Sequence, residues 1–138
     1  MRLLTKNIET MFLSWQTILA IGFGGFLGAI ARAYAVYFTN KYIPMEFPLG
    51  ILLVNLIGSF LIGILFAYFS HYTLSVNLKA FLTTGFLGAL TTYSTFAIES
   101  YLLFGTSIYL ALINISLNLF GTIIAAGSGY KLIHYILR

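Results

Sequence analysis

A twelve-residue run rich in glycine and hydroxyl side chains is the strongest chemical signal in this chain: Gly85-Phe-Leu-Gly-Ala-Leu-Thr-Thr-Tyr-Ser-Thr-Phe96. Half of its residues are Gly, Thr or Ser, whereas the surrounding sequence is rich in hydrocarbon side chains. A bilayer tolerates backbone polar groups only inside a helix, so such a run must pack against protein or line a polar cavity. We therefore expect it to lie beside a bound or transported species.

Amide and hydroxyl side chains inside other apolar segments extend this signal. Asn55 lies in one such segment, and Asn114, Asn118 and Thr122 recur at i, i+4 and i+8, hence on one helical face. A single amide in a span usually bonds across helices, but a stripe of three, which Asn55 and Thr95 can join, indicates a polar track.

The chemistry of this track favours an anion. Amides and hydroxyls donate hydrogen bonds without requiring a counter-charge, and the edge of the Phe96 ring carries partial positive charge. The sequence shows no ring of Asp or Glu of the kind that cation channels use. The pattern therefore favours a small anion that accepts hydrogen bonds, without choosing among anions.

Two charged residues fall inside apolar segments, where charge is costly and therefore a functional candidate. Arg32 either extends toward the nearer interface or lines an aqueous vestibule, where it attracts anions. Glu99 is expected to pair with a Lys or Arg near the interface, in preference to relaying protons.

Composition identifies the class of protein. Of 138 residues, 60% are hydrophobic and 7% are charged, which indicates a membrane protein. The basic residues are scattered singly, which excludes a nucleic-acid partner, and the chain has no cysteine. It shows no His/Asp/Glu cluster, and His71 and His134 fall at turns or termini, so an enzyme is not expected.

These features predict an all-α membrane protein with four transmembrane helices, the third broken mid-membrane by the Gly/Thr/Ser run. The predicted spans are 15–38, 48–69, 78–104 and 108–130, in a single domain, 15–138. Residues 1–14 form a short amphipathic lead-in without the features of a signal peptide. Four helices enclose too little space for a water-filled path, so we expect a pore between subunits or between facing helices. Small residues spaced by four mark candidate packing faces: Gly24/Gly28, Ser59/Gly63 and Gly121/Ala125/Gly129.

Three motifs in order resemble those of the Fluc/CrcB fluoride channels. They are Gly24-Gly-Phe-Leu-Gly-Ala-Ile-Ala-Arg32, Pro48-Leu-Gly-Ile-Leu-Leu-Val-Asn-Leu-Ile-Gly-Ser-Phe60, and the run from Gly85 to Phe96 followed by Glu99. The resemblance covers residues 22–129, and chain length and span count match as well.

The resemblance implies a fluoride-specific channel in the bacterial or archaeal cell (inner) membrane. Such a channel exports fluoride passively and so lowers its cytoplasmic concentration. The resemblance further implies an antiparallel, dual-topology dimer with two pores. A central Na⁺, structural and not transported, is then held at the dimer interface by the backbone carbonyls of Gly88 and Thr91. Oxygen-only coordination suits a hard cation.

The resemblance also implies the pore residues. Asn55 matches the family's pore asparagine, Ser94 and Thr95 its hydroxyl positions, and Phe96 the second of its two pore phenylalanines. Tyr93 replaces the first phenylalanine, keeping the ring edge and adding a hydroxyl. On the fourth helix, Asn114, Asn118 and Thr122 fit the family's spacing with different polar groups.

The distribution of basic residues bears on the dimer. Arg2, Lys6, Lys79, Lys131 and Arg138 fall on one side, and Lys41, approached by Arg32, on the other. This bias favours termini inside the cell. An antiparallel homodimer requires one sequence to insert both ways, so a heterodimer with a homologous, oppositely oriented subunit stays open beside the homodimer.

Two other classes of protein compete with a channel. A proton-coupled exporter of the small multidrug-transporter type also has four helices, but it needs an acidic residue deep in the membrane. The first span has none, and Glu99 is the one candidate. An accessory membrane subunit without transport activity has no need for the clustered Asn, Thr and Ser positions.

Overall fold

The computed structural model describes residues 14–137. The predicted lead-in, apart from Ser14, therefore lies outside the described residues, as do Arg2, Lys6 and Arg138 from the charge argument. Across residues 14–137 the regular structure is helical.

Two long, uninterrupted helices come first, α1 (Trp15–Tyr42) and α2 (Leu49–His71). Both extend beyond the predicted ends of their spans, and which of their residues lie within the bilayer stays a prediction. Pro48 is the N-cap of α2. Its ring fixes φ and it has no N–H, which suits the position just before a helix.

The third span consists of two helices separated by a break. The first, α3 (residues 76–90), starts as Val76–Ala80, continues as a π-helical segment over Phe81–Leu87 and ends as Gly88–Leu90. The second, α4, covers Tyr93–Thr106. The predicted interruption is therefore present between them, whereas its depth in the bilayer stays a prediction.

The fourth span is the continuous helix α5 (Ile108–Ile136), which contains a π-helical segment at Leu117–Gly121. Ser107 separates it from α4 and accepts a hydrogen bond from the N–H of Leu110. Because consecutive spans alternate in direction, α2 and α5 run parallel and both end on the side where α3 begins.

Three helices of residues 14–137 are long and apolar enough to cross a membrane: α1, α2 and α5. The third span does not reach that length in one piece because of its break. Large apolar side chains are widely exposed on the chain surface, among them Phe23 at 67% and Ile124 at 67%. Exposure on this scale suits hydrocarbon or a partner subunit better than water.

Glycines bring two helix pairs into backbone contact. A Cβ at Gly24 or Gly28 of α1 would overlap backbone carbonyls of α3, at Phe81 and Phe86. A Cβ at Gly63 of α2 would overlap the backbone of α5 at Ala126. The reciprocal contact joins Gly129 of α5 to Phe60 of α2, so packing faces predicted from small-residue spacing are confirmed in α1, α2 and α5.

Candidate functional site

The site is built around the break in the third span. Thr91 ends α3, with its N–H donating to the carbonyl of Leu87 at 3.0 Å. Thr92, in extended conformation, is the N-cap of α4, and its hydroxyl accepts from the N–H of Thr95 at 3.3 Å. Threonine suits this position because its side chain satisfies a helix N–H that has no partner within the helix.

Asn55 of α2 holds the break through both polar groups of the Thr92 backbone. The N–H of Thr92 donates to Asn55 Oδ1 at 2.8 Å, and Asn55 Nδ2 donates to the carbonyl of Thr92 at 3.1 Å. In an unbroken helix that N–H would donate to the carbonyl of Gly88. The side chain of Asn55 therefore replaces a helical bond and leaves the Gly88 carbonyl outside the helical ladder.

A buried chain of amides runs from Asn55 into α5 and α4. Asn55 Nδ2 donates to Asn118 Oδ1 at 2.8 Å, and Asn118 Nδ2 donates to Asn114 Oδ1 at 2.9 Å. Asn114 Nδ2 then donates to Ser100 Oγ at 2.9 Å, and Ser100 donates to the carbonyl of Phe96. All three asparagines are at most 7% exposed. The polar stripe predicted on α5 thus faces α2 and α4 as one hydrogen-bonded network.

A cavity of about 230 Å³ lies against this network and the break. It is lined by five of the predicted pore residues: Asn55, Tyr93, Phe96, Asn118 and Thr122. Thr91, predicted as a cation ligand, also lines it, as do Ser59, Thr92 and Leu119. Ser94, Thr95 and Asn114 support the surrounding structure but do not line this cavity.

The two aromatic residues of the site differ in exposure. The rings of Tyr93 and Phe96 meet edge to face, with centroids 5.3 Å apart and planes at 71°. Phe96 is 8% exposed, whereas Tyr93 is 77% exposed. Phe96 therefore forms a wall of the cavity, and Tyr93 lies at its rim.

Arg32 reaches the break from α1. The sequence had suggested that it extends to the interface or lines a vestibule. Its Nη1 donates to the carbonyl of Thr91 at 3.3 Å. The close packing of Gly28 against α3 brings Arg32, one turn further along α1, to this carbonyl. Arg32 thus places a positive charge beside the carbonyls that end α3, where the helix dipole is negative.

Gly88 and Thr91 fit a bound monovalent cation to different degrees. Gly88 is exposed, and the Asn55–Thr92 bond frees its carbonyl. The carbonyl of Thr91 already accepts one bond from Arg32, and a carbonyl oxygen has a second lone pair to offer. Both oxygens can therefore serve as ligands, with Arg32 as a competing positive charge.

Glu99 lies apart from this site. It lines a second cavity, of about 440 Å³, together with Glu46, Pro48 and Thr106. Its Oε2 is buried and has no hydrogen-bond partner among residues 14–137, which does not support the expected pairing with a Lys or Arg.

Sequence reasoning missed three polar members of the site. Ser59 lies four residues after Asn55, so helical spacing on α2 already placed it on the same face. Thr92 was present in the motif but given no role. Ser100 pairs with Asn114 across two helices, and no local pattern in the sequence signals that contact.

Comparison with known proteins identifies the family of this chain. The model of the family described as CrcB-like protein, Camphor Resistance (CrcB), matches residues 19–130. A protein of Sulfurimonas denitrificans named fluoride-specific ion channel FluC is 58% identical over 128 residues, which cover 91% of this chain and 99% of that protein.

Two further relatives carry the same name. The protein of Campylobacter jejuni is 48% identical over 116 residues, which cover 83% of this chain and 95% of the relative. The protein of Nautilia profundicola is 46% identical over 128 residues, which cover 91% of this chain and all of the relative (100%). These names describe channels, so the prediction that the chain is not an enzyme is confirmed. The chain is a multi-pass protein of the cell membrane and belongs to the CrcB-like family.

Proposed function

We propose that this chain forms a fluoride-selective channel that lets fluoride leave the cell passively and so lowers its cytoplasmic concentration. The observation that carries the proposal is the similarity, over nearly the whole chain, to relatives named fluoride-specific ion channels. The site adds chemical support, because its cavity combines amide and hydroxyl groups with the ring of Phe96. Such a lining suits a small, strongly hydrated anion.

The amide network supplies a route for dehydrating the ion. Asn55 Nδ2 now donates to Asn118 Oδ1 beside the cavity. An anion entering there accepts this N–H in place of the Asn118 oxygen, while the Thr122 and Ser59 hydroxyls can rotate toward it. The Asn55 donor keeps a partner throughout, while Asn118 Oδ1 gives up its donor, which offsets part of the gain from binding the anion. Binding by exchange of this kind permits entry and release, as conduction requires.

The proposed assembly is an antiparallel dimer with a structural Na⁺ held by the carbonyls of Gly88 and Thr91. Two observations support it. The first is that Asn55 removes the Thr92 N–H from the Gly88 carbonyl. The second is that Gly88 and Tyr93 are both exposed in the single chain, where a second subunit can cover them. Bound there, Na⁺ neutralises carbonyl dipoles that would otherwise face lipid.

Fluoride-electrode recordings from liposomes that contain this chain alone test the proposal. We expect fluoride efflux that needs no pH gradient and that declines when Na⁺ is replaced by a large organic cation. Efflux that follows an imposed pH gradient would instead favour the proton-coupled exporter. Absence of efflux until a homologous second subunit is added would establish the heterodimer in place of the homodimer.

A further inference from the structure

We propose a second, separate site: His71 and His134 form a two-histidine binding site for a tetrahedral divalent metal ion, with Zn²⁺ as its representative. The two imidazoles lie at the end of the seam between α2 and α5, far along both helices from Asn55 and Asn118. His71 Nε2 and His134 Nδ1 face each other at 3.4 Å. Both side chains are exposed, so an ion can reach them from water.

The separation between the two nitrogens matches a shared metal ion. Zn²⁺ binds imidazole nitrogen at about 2.0–2.1 Å in tetrahedral geometry, which sets two ligand nitrogens about 3.3–3.4 Å apart. A square-planar ion with similar bond lengths needs neighbouring nitrogens about 2.9 Å apart. Without an ion the two rings share an N–H···N hydrogen bond at this distance, and a bound ion would replace it. The separation therefore fits a tetrahedral ion better than a square-planar one.

The fold presets this separation. A Cβ at Gly63 or Gly129 would overlap the facing helix, so the two backbones are in contact shortly before both helices end. His71 is in the last turn of α2, and His134 is in the last turn of α5. Since neither helix can slide without losing this contact, binding requires little reorganisation. The ring of Tyr130 stacks on His134, with planes at 15°, and limits its rotation.

Charges and helix dipoles near the two histidines affect the affinity expected for the metal ion. Two helix C-termini converge here, and their dipoles favour a cation. Lys79, whose Nζ lies over the Phe69 ring, and Lys131, one turn before His134, oppose it. With two protein ligands and water completing the coordination, we expect reversible binding that clamps the ends of α2 and α5 together.

Binding and thermal unfolding of the detergent-solubilised full chain test the site, in protein that carries no polyhistidine tag. The background is low because the chain has two histidines and no cysteine. We expect one Zn²⁺ per chain and a higher unfolding temperature when Zn²⁺ is added. His71→Ala and His134→Ala should each weaken binding by about tenfold or more, since losing even a group that only supports a ligand costs about 10- to 100-fold in metal affinity. Tyr135→Ala, at an exposed residue beside His134, is the matched control and should retain the shift.

Two outcomes would overturn the proposal. One is a wild-type chain that shows no Zn²⁺-dependent change in binding or unfolding temperature. The other is a shift that survives in both histidine variants, because Zn²⁺ would then be bound elsewhere. Unfolding of each variant without metal shows whether it is folded, and Mg²⁺, which prefers oxygen ligands, should leave the wild-type unfolding temperature unchanged.

Discussion

Substituting Asn55 by aspartate separates the acceptor function of its side-chain oxygen from the donor function of its amide group. The retained Oδ1 can still accept from the Thr92 N–H, so the break keeps one of its supports. The lost amide group removes the donor to the carbonyl of Thr92 and to Asn118 Oδ1. The carboxylate oxygen that replaces the amide group then faces the Thr92 carbonyl oxygen and Asn118 Oδ1, and neither can donate a hydrogen bond to it. The native side chain is 7% exposed, so little water can compensate.

The hydrogen bonds give the expected magnitudes. A buried acceptor without its donor costs about 1–3 kcal/mol, so two of them lower the free energy of unfolding by about 2–6 kcal/mol. The permeating anion also loses the Asn55 N–H. A hydrogen bond to a charged group is worth about 1.5–3 kcal/mol, which corresponds to about 10- to 150-fold in occupancy. Repulsion between the carboxylate and the anion adds to this loss.

Fluoride efflux from liposomes, normalised to the folded protein recovered by size exclusion, measures the effect of Asn55→Asp. The matched control is Asn40→Asp, the same change at an exposed position on α1. We expect Asn55→Asp to lose fluoride flux and to unfold at a lower temperature, and Asn40→Asp to resemble the wild type. Normal flux in a folded Asn55→Asp protein would refute the assignment of Asn55 to the ion pathway.

Further substitutions test packing, the cation and the rim of the cavity. Gly28→Ala should lower the free energy of unfolding by about 1–3 kcal/mol through overlap with α3. Gly22→Ala is the control on the same helix, with open space around it, and should leave the free energy of unfolding unchanged. Equal losses of stability in the two variants would contradict this packing. Arg32→Gln removes a positive charge beside the Thr91 carbonyl. Repulsion between two unit charges about 4 Å apart costs about 1–4 kcal/mol, so the Na⁺ concentration for half-maximal flux should fall about fivefold or more. An unchanged Na⁺ dependence would mean that Na⁺ does not share this carbonyl. Tyr93→Phe, at a side chain that is 77% exposed, should keep fluoride flux within about twofold, and a large loss would show that the hydroxyl contacts the ion.

Much of the fold was readable because its signals are local. Apolar runs of sufficient length predicted the four spans. Small residues spaced by four predicted the face of α1 that packs on α3 and the faces that join α2 to α5. The break could be predicted because lipid excludes a Gly/Thr/Ser run that is not supported by protein. The π-helical segments Phe81–Leu87 and Leu117–Gly121 could not be predicted, since one inserted residue per turn leaves no distinct periodicity in so short a stretch.

The site was predictable in its residue types and less so in its pairings. The spacing of Asn114, Asn118 and Thr122 placed them on one face. In the structure Asn118 bonds to Asn114, and Asn118 and Thr122 line the cavity. The contacts of Asn55 with Thr92 and of Arg32 with Thr91 join residues 37 and 59 positions apart. Such contacts depend on how the helices pack, and one sequence does not specify them locally.

Anion selectivity tests whether this chain conducts fluoride through the cavity beside the break. Liposomes reconstituted with the full chain and loaded with equal concentrations of fluoride and chloride allow both effluxes to be measured in one sample. We expect rapid fluoride efflux with chloride retained, and loss of the fluoride signal in Asn55→Asp. Equal efflux of the two anions, or fluoride retained by a folded and reconstituted protein supplied with Na⁺ and a homologous subunit, would contradict it.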